Sequence, residues 1–301
     1  MREPRDARDL VSLSDEPCRY PDPRSAAERR PYLYVRGLLY EVQPRREAVA
    51  TLDQVPVDLE DRVVPLKEAL ERMDGAPLDE RIPVLAVGSN GYPRQLLDKF
   101  AQDPVNDDSV VVFGCSVRGL RIVYCAGFSL RKGYIPVTVW PDSEAVTHTW
   151  LQWLTAEQLE AVARSEGPRY RLVECGSDAA GAAVVAVHGV DEGPAAVYAW
   201  CYDARLAWPD DEAAPLLYAG NPPEGHSGES QGVSELTVLQ DAVQRALTVR
   251  GETLTWDGCQ LPDSHRRDLR ELLEGYGQPL PLPAWWSVVE REGFAEALKG
   301  E

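Results

Sequence analysis

The chain has 301 residues, 44% of them hydrophobic, enough to bury one large core or two modest ones, and no apolar run approaches the ~20 residues of a membrane span. Aspartate and glutamate outnumber lysine and arginine by 49 to 31, and the resulting net charge of −18, with no basic stripe interleaved with aromatics, argues against nucleic acid as a partner. The start, Met1-Arg2-Glu3-Pro4-Arg5-Asp6, lacks the apolar stretch of a signal peptide, so the expected location is cytoplasmic and no membrane partner is expected.

Residues 1–80 read as an N-terminal extension. Its first part is rich in Arg, Pro, Asp and Glu, apart from a strand-like run from Tyr32 to Tyr40. Leu66 to Met73 has the spacing of a short amphipathic helix, and Asp74-Gly75-Ala76-Pro77 breaks it, which sets a boundary near residue 80. An apolar strand, Pro83 to Val87, then runs into Gly88-Ser89-Asn90, with Pro93 opening a helix just beyond. A turn of this kind aims two or three backbone N–H groups out of a sheet edge, the arrangement that holds an anion or a developing oxyanion.

From residue 81 to about 220 the chain reads as a series of short strands: Ser109 to Phe113, Gly119 to Ala126, Gly133 to Trp140, Val146 to Leu154, Arg169 to Cys175, Ala182 to His188 and Ala195 to Tyr202. Strands so closely spaced and rich in Val, Tyr and Trp predict a barrel or strongly curled sheet with helices packed outside. Residues 221–301 turn helical and are expected to pack on that core. Ser234 can cap a helix bearing Leu236, Leu239, Val243 and Leu247, and Asp263 to Glu274 forms another that ends at Gly275. Trp285-Trp286 is read as a core plug or a subunit contact, the second of which suits a homodimer. The six cysteines, Cys18, Cys115, Cys125, Cys175, Cys201 and Cys259, show no CxxC pair and are read as reduced core residues; neither a metal nor a cofactor is expected.

One helix start is specified by several signals at once. Thr155 as N-cap and Gln158 three residues on make a capping box, and Leu154 and Leu159 stand where a hydrophobic staple falls. Gly167 marks the end, which leaves Glu166 as the last helical residue. A carboxylate there faces the negative end of the helix dipole, a placement that costs roughly 0.3–1 kcal/mol and disfavours the charged form.

These segments resemble the γ-glutamylcyclotransferase-like family. That family opens with an apolar strand and a Tyr-Gly-Ser-Asn turn, matched here by Val87-Gly88-Ser89-Asn90, and later carries a strand, a short helix and a Glu-Gly before a tyrosine-bearing strand, matched by His148 to Leu154, Thr155 to Glu166, Gly167 and Tyr170. Gly133 to Val139, with Pro141-Asp142 following, is similar to the family's central hairpin, so the resemblance covers Pro83 to Cys175. It implies a mixed α+β protein built on a small mixed β-barrel with surrounding helices. The implied activity is cyclisation of a γ-glutamyl small molecule to 5-oxoproline with release of an amine, without a metal or a covalent intermediate. Glu166 would be the general acid/base, the turn at Val87, Gly88, Ser89 and Asn90 would hold the substrate carboxylate or oxyanion, and Tyr170 would close the pocket.

The chain departs from the family pattern where Val87 replaces the tyrosine and Gly91 replaces a large apolar residue. Those departures favour an alternative reading, a non-catalytic scaffold that binds a small ligand or a protein. A serine-hydrolase reading of Ser89 finds no motif among His148, His188, His226 and His265, and Gly88 to Gly91 lacks the GxGxxG spacing of a dinucleotide site.

Overall fold

The computed structural model describes residues 3–13, 30–43, 48–59, 62–130, 133–166, 170–175, 184–194, 196–202, 263–276 and 286–289. The helix expected from Ser234 to Leu247 lies outside these residues, as do Gly167, Trp285, Cys18 and Cys259. Twelve strands are described: β1 (Arg5–Asp6), β2 (Tyr32–Val35), β3 (Leu38–Glu41), β4 (Pro56–Asp58), β5 (Val63–Pro65), β6 (Ile82–Leu85), β7 (Val110–Tyr124), β8 (Val137–Leu154), β9 (Tyr170–Cys175), β10 (Val184–Val187), β11 (Tyr198–Tyr202) and β12 (Trp286–Val289). Four α-helices accompany them: α1 (Leu66–Arg72), α2 (Pro93–Gln102), α3 (Ala156–Glu166) and α4 (Asp263–Tyr276). The protein is therefore mixed α+β.

Apart from the β4–β5 pair, these strands join one sheet in the order β1-β3-β2-β7-β8-β6-β11-β9-β12, with β10 added to β7; β6 and β11 run parallel and every other pair is antiparallel. The order runs from one free end to another, so among the described residues no pairing closes the sheet into the expected barrel. One face of the sheet carries a single continuous core. Both halves of the β7–β8 hairpin, from Phe113 and Leu151 at one end to Tyr124 and Val137 at the other, bury side chains in one inner core with Leu85, Val173 and Ala199. Trp286, read as a core plug or subunit contact, is buried in that core together with Leu269 and Leu273 of α4.

Two details differ from the strands expected. Segments 109–113 and 119–126 form the single strand β7, and segments 133–140 and 146–154 merge into β8 from residue 137 onward. The polar bend Pro141 to Glu144 that suggested a turn is absorbed as a bulge: Arg118 pairs with Val146 and Gly119 with Asp142, leaving 143–145 as extra residues on β8. Gly119 meets this shift with a φ of 99°, a conformation that costs other residues energy.

The N-terminal residues are woven into the same sheet. β2 pairs with β7 through Tyr32–Val112, and the β2–β3 hairpin turns at Arg36 and Gly37, both with positive φ. Tyr92 donates its hydroxyl to the Val11 carbonyl (2.7 Å), and Arg94 reaches the Arg8 carbonyl (2.8 Å), so residues 8–11 lie along the start of α2. The boundary near residue 80 is not a break in the hydrogen-bonded sheet. Cys115, Cys125 and Cys175 are buried thiols, and burial pushes the Cys115 thiol well above the ordinary cysteine range. No described helix is long and apolar enough to cross a membrane.

On its outer face the sheet carries a second apolar layer, in which Val84, Val112, Trp150 and Leu154 pack against Leu96 and Phe100 of α2 and Leu159 and Val162 of α3. Helices outside a curled sheet were expected, and this layer sets the two helices side by side.

Candidate functional site

The site is built where β6 hands the chain to α2. Val87 is the last extended residue and its side chain belongs to the inner core, a packing position. Gly88 then adopts φ 70°, which only glycine takes without strain, and Gly88–Gly91 winds into a short 3₁₀ turn that runs into α2 at Pro93. The first N–H groups of such a turn, those of Gly88 and Ser89, have no partner inside it. Asn90 contributes its side chain, whose Oδ1 accepts from Lys99 Nζ at 2.8 Å. Ser89 and Asn90 are both buried.

Gly91 has a separate reason to be small. A Cβ there would lie 2.9 Å from Cγ and Cδ1 of Trp150, and the Gly91 carbonyl accepts the Tyr32 hydroxyl at 2.9 Å. The backbone of the turn is thus pressed against an indole ring and pinned by a phenol. Gly91→Ala is expected to lower stability by about 1–3 kcal/mol through overpacking, read as a fall in melting temperature.

Glu166 reaches this turn from the far end of another helix. The α3 start follows the expected capping box: the Thr155 N–H donates to Gln158 Oε1 (2.9 Å) and the Gln158 N–H to Thr155 Oγ1 (3.3 Å). Gln158 also donates through Nε2 to the carbonyls of Asp107 (2.6 Å) and Ser109 (2.7 Å), which locks the first turn of α3 to the beginning of β7. About two helical turns on, Glu166 closes α3, and its Oε1 accepts from Lys99 Nζ at 2.5 Å. Arg164 of α3 pairs with Asp103 at the end of α2 beside it.

Lys99 is the residue that sequence reasoning missed. Its side chain is only 3% exposed, and it joins two expected site residues, Asn90 and Glu166, that lie 76 positions apart. A signal was present, because Leu96, Lys99 and Phe100 fall on one face of α2 at i, i+3 and i+4, and a lysine inside an apolar face calls for a buried anion. Lys99 also supplies the cation that offsets the unfavourable placement of Glu166 at the C-terminal end of α3. Tyr170 opens β9 half-buried, with its hydroxyl donating to the Val137 carbonyl at 3.4 Å, at the start of β8.

No family model, curated protein or solved structure matches this chain. The site therefore stands on its own geometry: N–H groups at the start of a glycine turn, a buried amide, a buried ammonium and a carboxylate that keeps 17% exposure. Among the described residues no cluster of three or more His, Cys, Asp or Glu is placed to hold a metal ion.

Proposed function

We propose that the protein is a γ-glutamyl cyclotransferase-type enzyme that releases 5-oxoproline and a free amine from a small γ-glutamyl amide. The observation that carries this reading is the convergence of the Gly88–Asn90 turn with Glu166 through Lys99. The large, mostly antiparallel sheet with α2 and α3 packed on one face also agrees with the mixed α+β class that the sequence resemblance implies.

The chemistry asks for one proton acceptor and a place for negative charge. Glu166 takes a proton from the substrate α-ammonium group, and the freed amine attacks its own γ-carbonyl carbon to form a five-membered ring. The C–N bond to the leaving amine then breaks as Glu166 returns the proton to that nitrogen, and the ring nitrogen sheds its second proton to the released amine, which departs as ammonium and leaves Glu166 a carboxylate again. Because the attack is intramolecular, holding the substrate folded supplies much of the rate. The N–H groups of Gly88 and Ser89 hold the substrate carboxylate or the carbonyl oxygen as it gains charge. Lys99 positions Glu166 and Asn90 relative to each other.

The ion pair also favours a second reading. A carboxylate held by a buried lysine has a structural reason to exist, and Val87 offers no hydroxyl to a substrate, as a non-catalytic ligand-binding scaffold would allow. The two readings separate in one assay: 5-oxoproline release from a panel of γ-glutamyl amides, followed by mass spectrometry, with wild type and Glu166→Gln side by side. The enzyme reading expects release from at least one member and a fall of roughly 10²–10⁴-fold in the variant, the usual contribution of a general acid/base. A wild type inert towards the whole panel would favour the scaffold.

A further inference from the structure

Three polar side chains meet on the outer face of the sheet, and the cyclotransferase reading uses none of them. Ser116 on β7 is flanked on one side by His148, its cross-strand partner on β8, and on the other by β10, where Ala186 is its partner. His188 follows β10, and its N–H donates to the Gly114 carbonyl at 2.9 Å, which continues the β10–β7 ladder and brings the ring back towards Ser116. His148 Nδ1 and His188 Nε2 each lie 2.9 Å from Ser116 Oγ, with ring centroids 6.2 Å apart and planes at 49°. All three residues are half-buried, so the cluster is open to ions from solvent while its rings are held in place.

A single hydroxyl proton can be given to only one imidazole nitrogen, so in the ion-free protein the second imidazole donates to Oγ. Two nitrogens from different strands therefore flank one oxygen. Imidazole nitrogens bind Zn²⁺ at about 2.0–2.1 Å, which sets neighbouring donors of a tetrahedral site about 3.3 Å apart. The two nitrogen–oxygen separations, 2.9 Å each, are within a few tenths of an ångström of that spacing, and the rings turn from Oγ towards the ion to bind it. Imidazole donors select borderline transition ions over Mg²⁺ or Ca²⁺, and a net charge of −18 draws cations towards the chain.

We propose that His148, His188 and Ser116 form a binding site for a divalent transition-metal ion of the Zn²⁺ class, held through His148 Nδ1, His188 Nε2 and Ser116 Oγ, with water completing the coordination. The site is independent of the Glu166 chemistry. It is invisible in the sequence, because the register of β7 with β8 and β10 alone brings positions 116, 148 and 188 together.

Isothermal titration of the full chain with Zn²⁺ tests the site. Wild type and the control His226→Ala/His265→Ala, which removes the other two histidines, are expected to bind one Zn²⁺ per chain with equal affinity. His148→Gln and His188→Gln are each expected to bind at least about tenfold more weakly, and Ser116→Ala to lose less. A mutation-independent readout guards against misfolded variants: of the four histidine ring signals in the NMR spectrum of wild type, only those of His148 and His188 should shift as Zn²⁺ is added, assigned with the aid of the control variant. Absence of Zn²⁺ binding in wild type, unchanged affinity in His148→Gln and His188→Gln, or shifts confined to His226 and His265 would each overturn the proposal.

Discussion

Lys99→Met should lower stability by about 3 kcal/mol and reduce 5-oxoproline release by about 100-fold, the first through an unpaired charge and the second through a misplaced one. Methionine keeps the length and most of the apolar stem of lysine, so the packing beside Leu96 and Phe100 survives and the lost ammonium is the main change. Breaking one partner of a buried pair costs about 3–5 kcal/mol, and the low end applies because Glu166 keeps 17% exposure and gains some water. Asn90 Oδ1 loses its donor at the same time. In a double-mutant cycle with Glu166→Gln, much of the stability loss should return, since no charge is then left unpaired, and urea denaturation of the four proteins measures it. Additive losses would show that Lys99 and Glu166 are not coupled. The activity arm is read as kcat against KM. A positioning role for Lys99 lowers kcat with little change in KM, whereas a lysine that merely held the fold would leave the kcat of the folded fraction intact.

How much of this was legible depended on the range of the interactions. The Thr155–Gln158 capping box, α1 and the break at Asp74 to Pro77 rest on contacts within a few residues, and each is found where its spacing placed it. The β7–β8 hairpin was read as four short strands because Pro141-Asp142-Ser143-Glu144 has the composition of a turn. Only the pairing across β7 decides that the strand continues through it as a bulge. A local pattern likewise placed Glu166 at the end of a helix and Gly88-Ser89-Asn90 in a turn after β6, yet it could not say that Lys99 joins Asn90 to Glu166, since that contact spans two helices. The inner and outer cores follow the same rule. Alternation along β8 predicts that Leu151 and Trp153 share one face while Trp150 and Leu154 share the other, but which face the helices cover is set by how the sheet packs as a whole.

Arg81→Met should be the most damaging change outside the site, lowering stability by about 3–5 kcal/mol. The guanidinium is fully buried and donates to the Ser109 carbonyl (2.6 Å), Ser109 Oγ (2.7 Å), Asp107 Oδ2 (2.8 Å) and the Ala76 carbonyl (3.0 Å). Desolvation pulls its pKa below the usual arginine range, and the nearby Asp107 carboxylate works against that fall, so the group stays charged and its partners stay necessary. Methionine would remove the guanidinium from all of these acceptors at once and leave the Asp107 carboxylate without its cation, although the Ser109 carbonyl keeps Gln158 and Asp107 Oδ2 keeps the Ala76 N–H. Arg81→Lys should recover little, because one compact ammonium cannot span acceptors laid out for a planar fork. The loss should also reach the site. Ser109 and Asp107 hold Gln158 as well, so releasing them loosens the first turn of α3, whose last residue is Glu166. Thermal melting and 5-oxoproline release measured together separate this variant from Lys99→Met. Arg81→Met should lose activity mainly through its smaller folded fraction, with a lesser share from the loosened α3, whereas Lys99→Met should lose far more activity than its stability explains. A melting temperature within a degree or two of wild type would mean that the Arg81 network does not anchor α3.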